Sequence, residues 1–162
     1  MASAASDTSA LSSRLHALAD GPRTEAARAE LLEALHSRFD GLRVLAARAL
    51  CAWGDAAAIA AVKDAAWDLA GMPNRWGATS AVCQALAPHL TSEADLDWVF
   101  ALYGGQAHSR TRYFVGAALF EVFAPAALLP RLEALAGRAG DPGWTSDLRA
   151  ARLRARARLP AG

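Results

Sequence analysis

Residues 42–62 read Leu42-Arg43-Val44-Leu45-Ala46-Ala47-Arg48-Ala49-Leu50-Cys51-Ala52-Trp53-Gly54-Asp55-Ala56-Ala57-Ala58-Ile59-Ala60-Ala61-Val62. Leu42, Leu45, Ala46, Ala49, Leu50 and Trp53 recur at the three- and four-residue spacing of one helical face, while Arg43 and Arg48 fall away from it. The pattern predicts an amphipathic helix turned toward a core. Gly54 can close that helix in a left-handed turn, where a Cβ would be strained, and Asp55 can accept N–H bonds at the start of the next. Two helices therefore meet across a two-residue corner.

Further along the chain the same skeleton returns. Ala49-Leu50 aligns with Ala85-Leu86 and with Ala118-Leu119, at offsets of 36 and then 33 residues. Ala46, Val82 and Val115 then coincide, as do Leu42, Ala78 and Thr111. The following helices keep the step, with Ile59, Leu96 and Leu129 equivalent and Val62, Val99 and Leu132 equivalent. A repeating helix pair is the economical explanation. Strand-like alternation is absent over any useful length, so the whole chain reads as helical. The pattern predicts helices at about 7–19, 22–38, 41–53, 56–70, 75–90, 93–103, 109–123, 126–138 and 144–158. Asp40 and Asn74 are the expected N-caps of the third and fifth, Ser92 with Asp95 approximates a capping box, and Pro125 suits a first helical turn.

The residues Leu42-Arg43, Ala46-Ala47, Ala49-Leu50, Gly54-Asp55, Ala58-Ile59 and Val62 resemble the HEAT-like repeat of bilin lyases and of many bacterial scaffold proteins. In residues 75–103 the corner Gly-Asp is replaced by Leu90-Thr91, and in 109–138 by Ala124-Pro125, so the apolar skeleton carries the likeness there. Pro130 falls where Ala60 falls, at a position where such repeats often place proline. The resemblance implies an all-α fold: a right-handed α-solenoid of about four antiparallel helix pairs, with a C-terminal capping helix supplied by Asp141 to Leu159. Residues 7–159 then form one repeat domain behind a disordered stretch at 1–6.

Composition excludes several classes. The 162 residues carry 17 cationic and 16 anionic side chains, a net charge of +1, so no global field draws the chain to nucleic acid or lipid. Arg, Asp or Glu interrupts every apolar run before it reaches membrane-spanning length, and Met1 to Ser6 has no signal-peptide character. The expected location is cytoplasmic, with no membrane partner. Cys51 and Cys83 sit in apolar segments with no C-x-x-C spacing; on the repeat alignment they lie about one turn apart on neighbouring helices, beyond disulfide reach. Two free thiols are expected.

Chemistry-bearing constellations are scarce. His16, His36, His89 and His108 fall on different helices without ligand spacing, no G-x-S-x-G elbow is present, and Gly104-Gly105 lacks the strand that precedes a phosphate loop. No catalytic residue, metal site or cofactor is therefore assigned. The HEAT-like resemblance puts second helices on a concave face. Trp67, Asp97, Trp98 and Arg131 would there form an aromatic floor with polar hooks, suited to a protein segment or peptide. Trp53, by contrast, continues a core stripe.

Charge is uneven: residues 1–107 hold 8 cations and 12 anions, residues 108–162 hold 9 and 4. Arg110, Arg112, Arg138 and the run Arg149, Arg152, Arg154, Arg156 and Arg158 supply the excess. This gradient makes Arg110, Arg112, Arg149, Arg152 and Arg156 candidate phosphate contacts for DNA. The first expectation is thus a non-enzymatic protein-binding adaptor, the second a nucleic-acid-associated protein. A lyase or a base-excision glycosylase is what the resemblance alone would add. Oligomeric state has no signature in the residues.

Overall fold

The structure, a computed structural model, describes residues 2–106, 109–136 and 146–159, with side chains from Thr8 onward. It is all-helical over those residues: α1 (Ala2–Asp20), α2 (Glu25–Leu35), α3 (Asp40–Trp53), α4 (Ala56–Gly71), α5 (Trp76–Leu86), α6 (Glu93–Gly104), α7 (Ser109–Leu119), α8 (Pro125–Ala136) and α9 (Ser146–Ala157). Single 3₁₀ turns extend α5 through Ala87–His89 and α7 through Phe120–Val122. α1 begins earlier than the apolar pattern predicts. The start of the expected cap, with Asp141 and Trp144, lies outside the described residues, as do His108 and Arg138.

The corner between α3 and α4 is built as expected. Gly54 adopts φ +73°, and the Asp55 carboxylate accepts the Ala58 N–H at 2.9 Å. The Ser92–Asp95 capping box is complete, with Asp95 reaching back to the Ser92 N–H at 2.8 Å. α8 starts at Pro125, whose missing N–H costs nothing in a first turn. Two caps are corrected. Phe39, not Asp40, is the N-cap residue of α3; Asp40 lies inside the first turn, where its charge still favours the positive helix end, and pairs with Arg75 at 2.5 Å. Asp40 holds the Arg75 guanidinium above its ordinary pKa, by hydrogen bonding first and by its charge second. Arg75, not Asn74, is the N-cap residue of α5, because Asn74 turns the chain in the left-handed region at φ +61°.

The helices gather into two compact units, Met1–His89 and Leu90–Gly162. In the first, α3 packs on α1, α2, α4 and α5, and α2 also touches α4. Neighbours in sequence pair, and next-but-one helices stack. Arg23 donates to the Trp53 and Ala52 carbonyls at 2.9 and 3.1 Å, satisfying the end of α3, and Arg28 reaches Asp55 at 2.9 and 2.8 Å. In the second unit α6 packs on α7, and α9 packs on both α7 and α8.

The repeat alignment is mirrored in burial. Leu50, Leu86 and Leu119 are each fully buried, as are Ala46, Val82 and Val115, and Val62, Val99 and Leu132. The triple Ile59, Leu96 and Leu129 departs from this: Leu96 is fully buried, whereas Ile59 and Leu129 are half-buried. The position after Ala46 holds Ala47, Cys83 and Gly116, all buried. At Gly116 a Cβ would stand 3.3 Å from the rings of Phe120 and Tyr103, so the missing side chain makes room for them. Phe120 packs its ring 5.1 Å from Phe100 and 5.3 Å from Tyr103. Small residue and large ring exchange volume at one repeat position.

Candidate functional site

The face of α4 turned away from the core is read directly from its spacing. Ala58, Val62, Ala65, Ala66, Leu69 and Ala70 are buried; Ala57, Ala60, Asp64, Trp67 and Asp68 are exposed on the other side. Trp67 stands 43% exposed, an unusual place for a large aromatic ring in a helix whose core face is mostly alanine. Asp64 precedes it by one turn and Asp68 follows it directly. Trp67 is thus exposed beside two carboxylates.

The other expected contacts lie in the second unit. Asp97 is exposed and Trp98 half-buried on α6, and Arg131 projects from α8. Arg131 binds Asp97 and also reaches Glu93 at 3.3 Å, so the two polar hooks are each other's partners. Asp97, then Glu93, hold the Arg131 guanidinium above its ordinary pKa. A partner reaching this face therefore meets a bridged acidic patch of two carboxylates and one cation.

The C-terminal arginines are occupied differently from what the charge count suggested. Arg152 and Arg156 of α9 both donate to Glu133 of α8, at 3.2 Å and at 3.0 and 2.5 Å. Arg154 binds Glu121, and Arg158 donates to the Glu121 and Phe123 carbonyls at 2.6 and 3.1 Å. These side chains fasten α9 to α8 and to the turn after α7. Arg149 is exposed and has no such tie among the described residues, Arg110 is exposed at the start of α7, and Arg112 is half-buried with its Nε out of reach of any acceptor among them. Among the described residues these arginines form no single outward stripe.

Nucleophile and metal chemistry have little to build on. Cys51 and Cys83 are buried free thiols; burial pushes Cys51 up to about 11 and Cys83 up to about 12, so neither supplies a thiolate at neutral pH. Among the described residues no three His, Cys, Asp or Glu side chains come together as a metal cluster, and no helix is long and apolar enough to cross a membrane.

Sequence spacing missed a second feature. A cavity of about 760 Å³ lies where the starts of α3 and α5 approach α1, with Arg38, Arg48 and Arg75 in its wall. The one sequence sign of it is Gly41 and Gly77, which occupy equivalent second positions of α3 and α5, 36 residues apart. Another cavity, about 600 Å³, lies between α1, α2 and the start of α3, beside the Arg14–Glu30 ion pair at 2.6 Å. Compared with protein-family models, curated proteins and solved structures, the chain matches none of them.

Proposed function

We propose that the chain is a short right-handed α-solenoid of HEAT-like helix pairs acting as a non-enzymatic adaptor, whose second helices bind a segment of another protein. The observation that carries this reading is Trp67, 43% exposed on a second helix and flanked by Asp64 and Asp68. An exposed tryptophan on a rigid helix supplies a large contact area at small entropic cost, which is why such residues dominate binding energy at interfaces. The second helix of the other unit offers Glu93 and Asp97 around Arg131, again with acid in excess. A segment that suits either face carries an apolar anchor beside lysine or arginine.

The test is affinity capture from cells of the native host with wild-type protein and with Trp67→Ala. Recovery of a protein that binds the wild type and is lost with Trp67→Ala is expected. Capture of no protein, or capture indifferent to Trp67, contradicts the reading. The nucleic-acid alternative predicts duplex binding that weakens steeply with salt; the ties of Arg152 and Arg156 to Glu133 leave it fewer free cations than the sequence offers.

A further inference from the structure

The cavity at the starts of α3 and α5 has the lining of a ligand site rather than a packing flaw. Phe39, Val44, Leu45 and Ala78 give it an apolar wall, and Thr8 and Ser12 bring hydroxyls from α1. Its charged groups are Arg38, Arg48 and Arg75 against one carboxylate, Asp40. Asp40 is committed to Arg75. Arg38 lies over the Phe39 ring at 4.7 Å and Arg48 is exposed on α3, and neither meets a carboxylate among the described residues. Two guanidiniums with no carboxylate partner among the described residues thus flank an apolar wall, in an open groove whose volume is within the range of small-molecule sites.

Two further facts point the same way. Neither Phe39 nor Arg75 makes a side-chain cap; Asp40 answers the positive end of α3, whereas α5 has no acidic residue in its first turn and its positive end is left to the cavity. Gly41 and Gly77 line it as well, and a Cβ on either would meet nothing within 4 Å. Packing does not demand glycine there, and in a helix glycine costs stability; open space beside the uncapped turns is what the pair provides.

We propose that this cavity binds a small amphipathic anion: an apolar body against Phe39, Val44, Leu45 and Ala78, with one carboxylate or phosphate held by Arg38 and Arg48. The site lies among first helices, so it is separate from the Trp67 face and stands whether or not that face binds protein. Guanidinium forks suit either head group, and the apolar wall adds contact for a hydrophobic body that an inorganic ion lacks.

The test uses the whole chain and the fluorescent probe 1-anilinonaphthalene-8-sulfonate, with uncharged N-phenyl-1-naphthylamine as comparison. Octanoate and octyl phosphate serve as competitors that distinguish the two head groups. Wild-type protein should bind the sulfonate, and either competitor, or both, should displace it while octanol does not. Arg38→Gln with Arg48→Gln should weaken the sulfonate by at least about tenfold and the uncharged dye by less than about twofold. Gly77→Leu should fill the cavity and abolish binding of both dyes while circular dichroism stays unchanged, and Trp67→Ala should leave binding as it was. Sulfonate binding that survives the double arginine change in folded protein, or displacement by octanol as readily as by octanoate and octyl phosphate, overturns the proposal. So does wild-type protein that binds neither the sulfonate nor the competitors.

Discussion

The two compact units solve the same packing problem with different materials. In Met1–His89 the buried rows of α3 and α4 are built largely from alanine and leucine. In Leu90–Gly162 the space around α7 is filled by Phe100, Tyr103 and Phe120, and the last helix is held by arginines on Glu133 and Glu121. Position 47 and its aligned positions show the exchange in miniature: alanine at 47, cysteine at 83, glycine under two rings at 116. The apolar register persists in each unit while the volumes around it are redistributed.

The heaviest losses should fall on the fully buried leucines at aligned positions of each unit. Replacing Leu86 or Leu119 by alanine should cost about 2–5 kcal/mol each, because both are fully buried and their surroundings relax only in part. Urea unfolding followed by circular dichroism reads the loss. A neutral outcome at either one would end the equivalence of the units.

The next effect separates them. Gly116→Val should cost roughly 1–3 kcal/mol by forcing Phe120 and Tyr103 aside. Combining it with Phe120→Leu should recover part of the loss. If Gly116→Val is tolerated alone, the exchange of volume at this position is wrong.

These packing terms were legible to different degrees. Gly54, Asp55, Ser92, Asp95 and Pro125 were readable because a cap is local chemistry, settled within four residues. Asp40 and Asn74 were misplaced because several residues near a helix start satisfy the same positive end, and tertiary partners choose among them: Arg75 draws Asp40, and Asn74 is used for its tolerance of positive φ. Trp67 was singled out through the HEAT-like resemblance, which puts second helices on a concave face. The pairing of Arg131 with Asp97, 34 residues away, and of Arg156 with Glu133, 23 residues away, has no signature in spacing. The cavity was invisible for the same reason, since Arg38, Arg48 and Arg75 meet only once α1, α3 and α5 are side by side.

A smaller effect concerns the electrostatics of the second unit. Glu133→Gln should lower stability by less than about 1 kcal/mol and loosen α9, since exposed ion pairs contribute little singly. Hydrogen exchange in residues 146–157 should quicken, and added salt should reproduce part of the change in the wild type. Exchange that ignores both would mean that Leu148, Ala151 and Ala155 hold the helix without the arginines.

The gentlest probe is pH, and it acts on the first unit. Arg28, then the Ala58 N–H, hold the Asp55 carboxyl down at about 2, below its ordinary value of 3.8. The charged form is favoured in the fold, so its stabilisation is complete above the ordinary value and is lost as pH falls toward 2. Urea midpoints between pH 5 and pH 2 should fall, by less in Asp55→Asn. An Asp55→Asn profile parallel to the wild type would remove this contribution.

The stacking register itself is open to a direct distance measurement. Arg48 and Gln84 occupy equivalent exposed positions of α3 and α5, and Cys51 and Cys83 are buried away from labelling reagents. Nitroxides on Arg48→Cys and Gln84→Cys should broaden each other strongly, because neighbouring helices packed in register lie about 8–10 Å apart. Two sharp, independent spectra from the doubly labelled, folded protein would mean that equivalent residues do not sit side by side, and the repeat would fall with them.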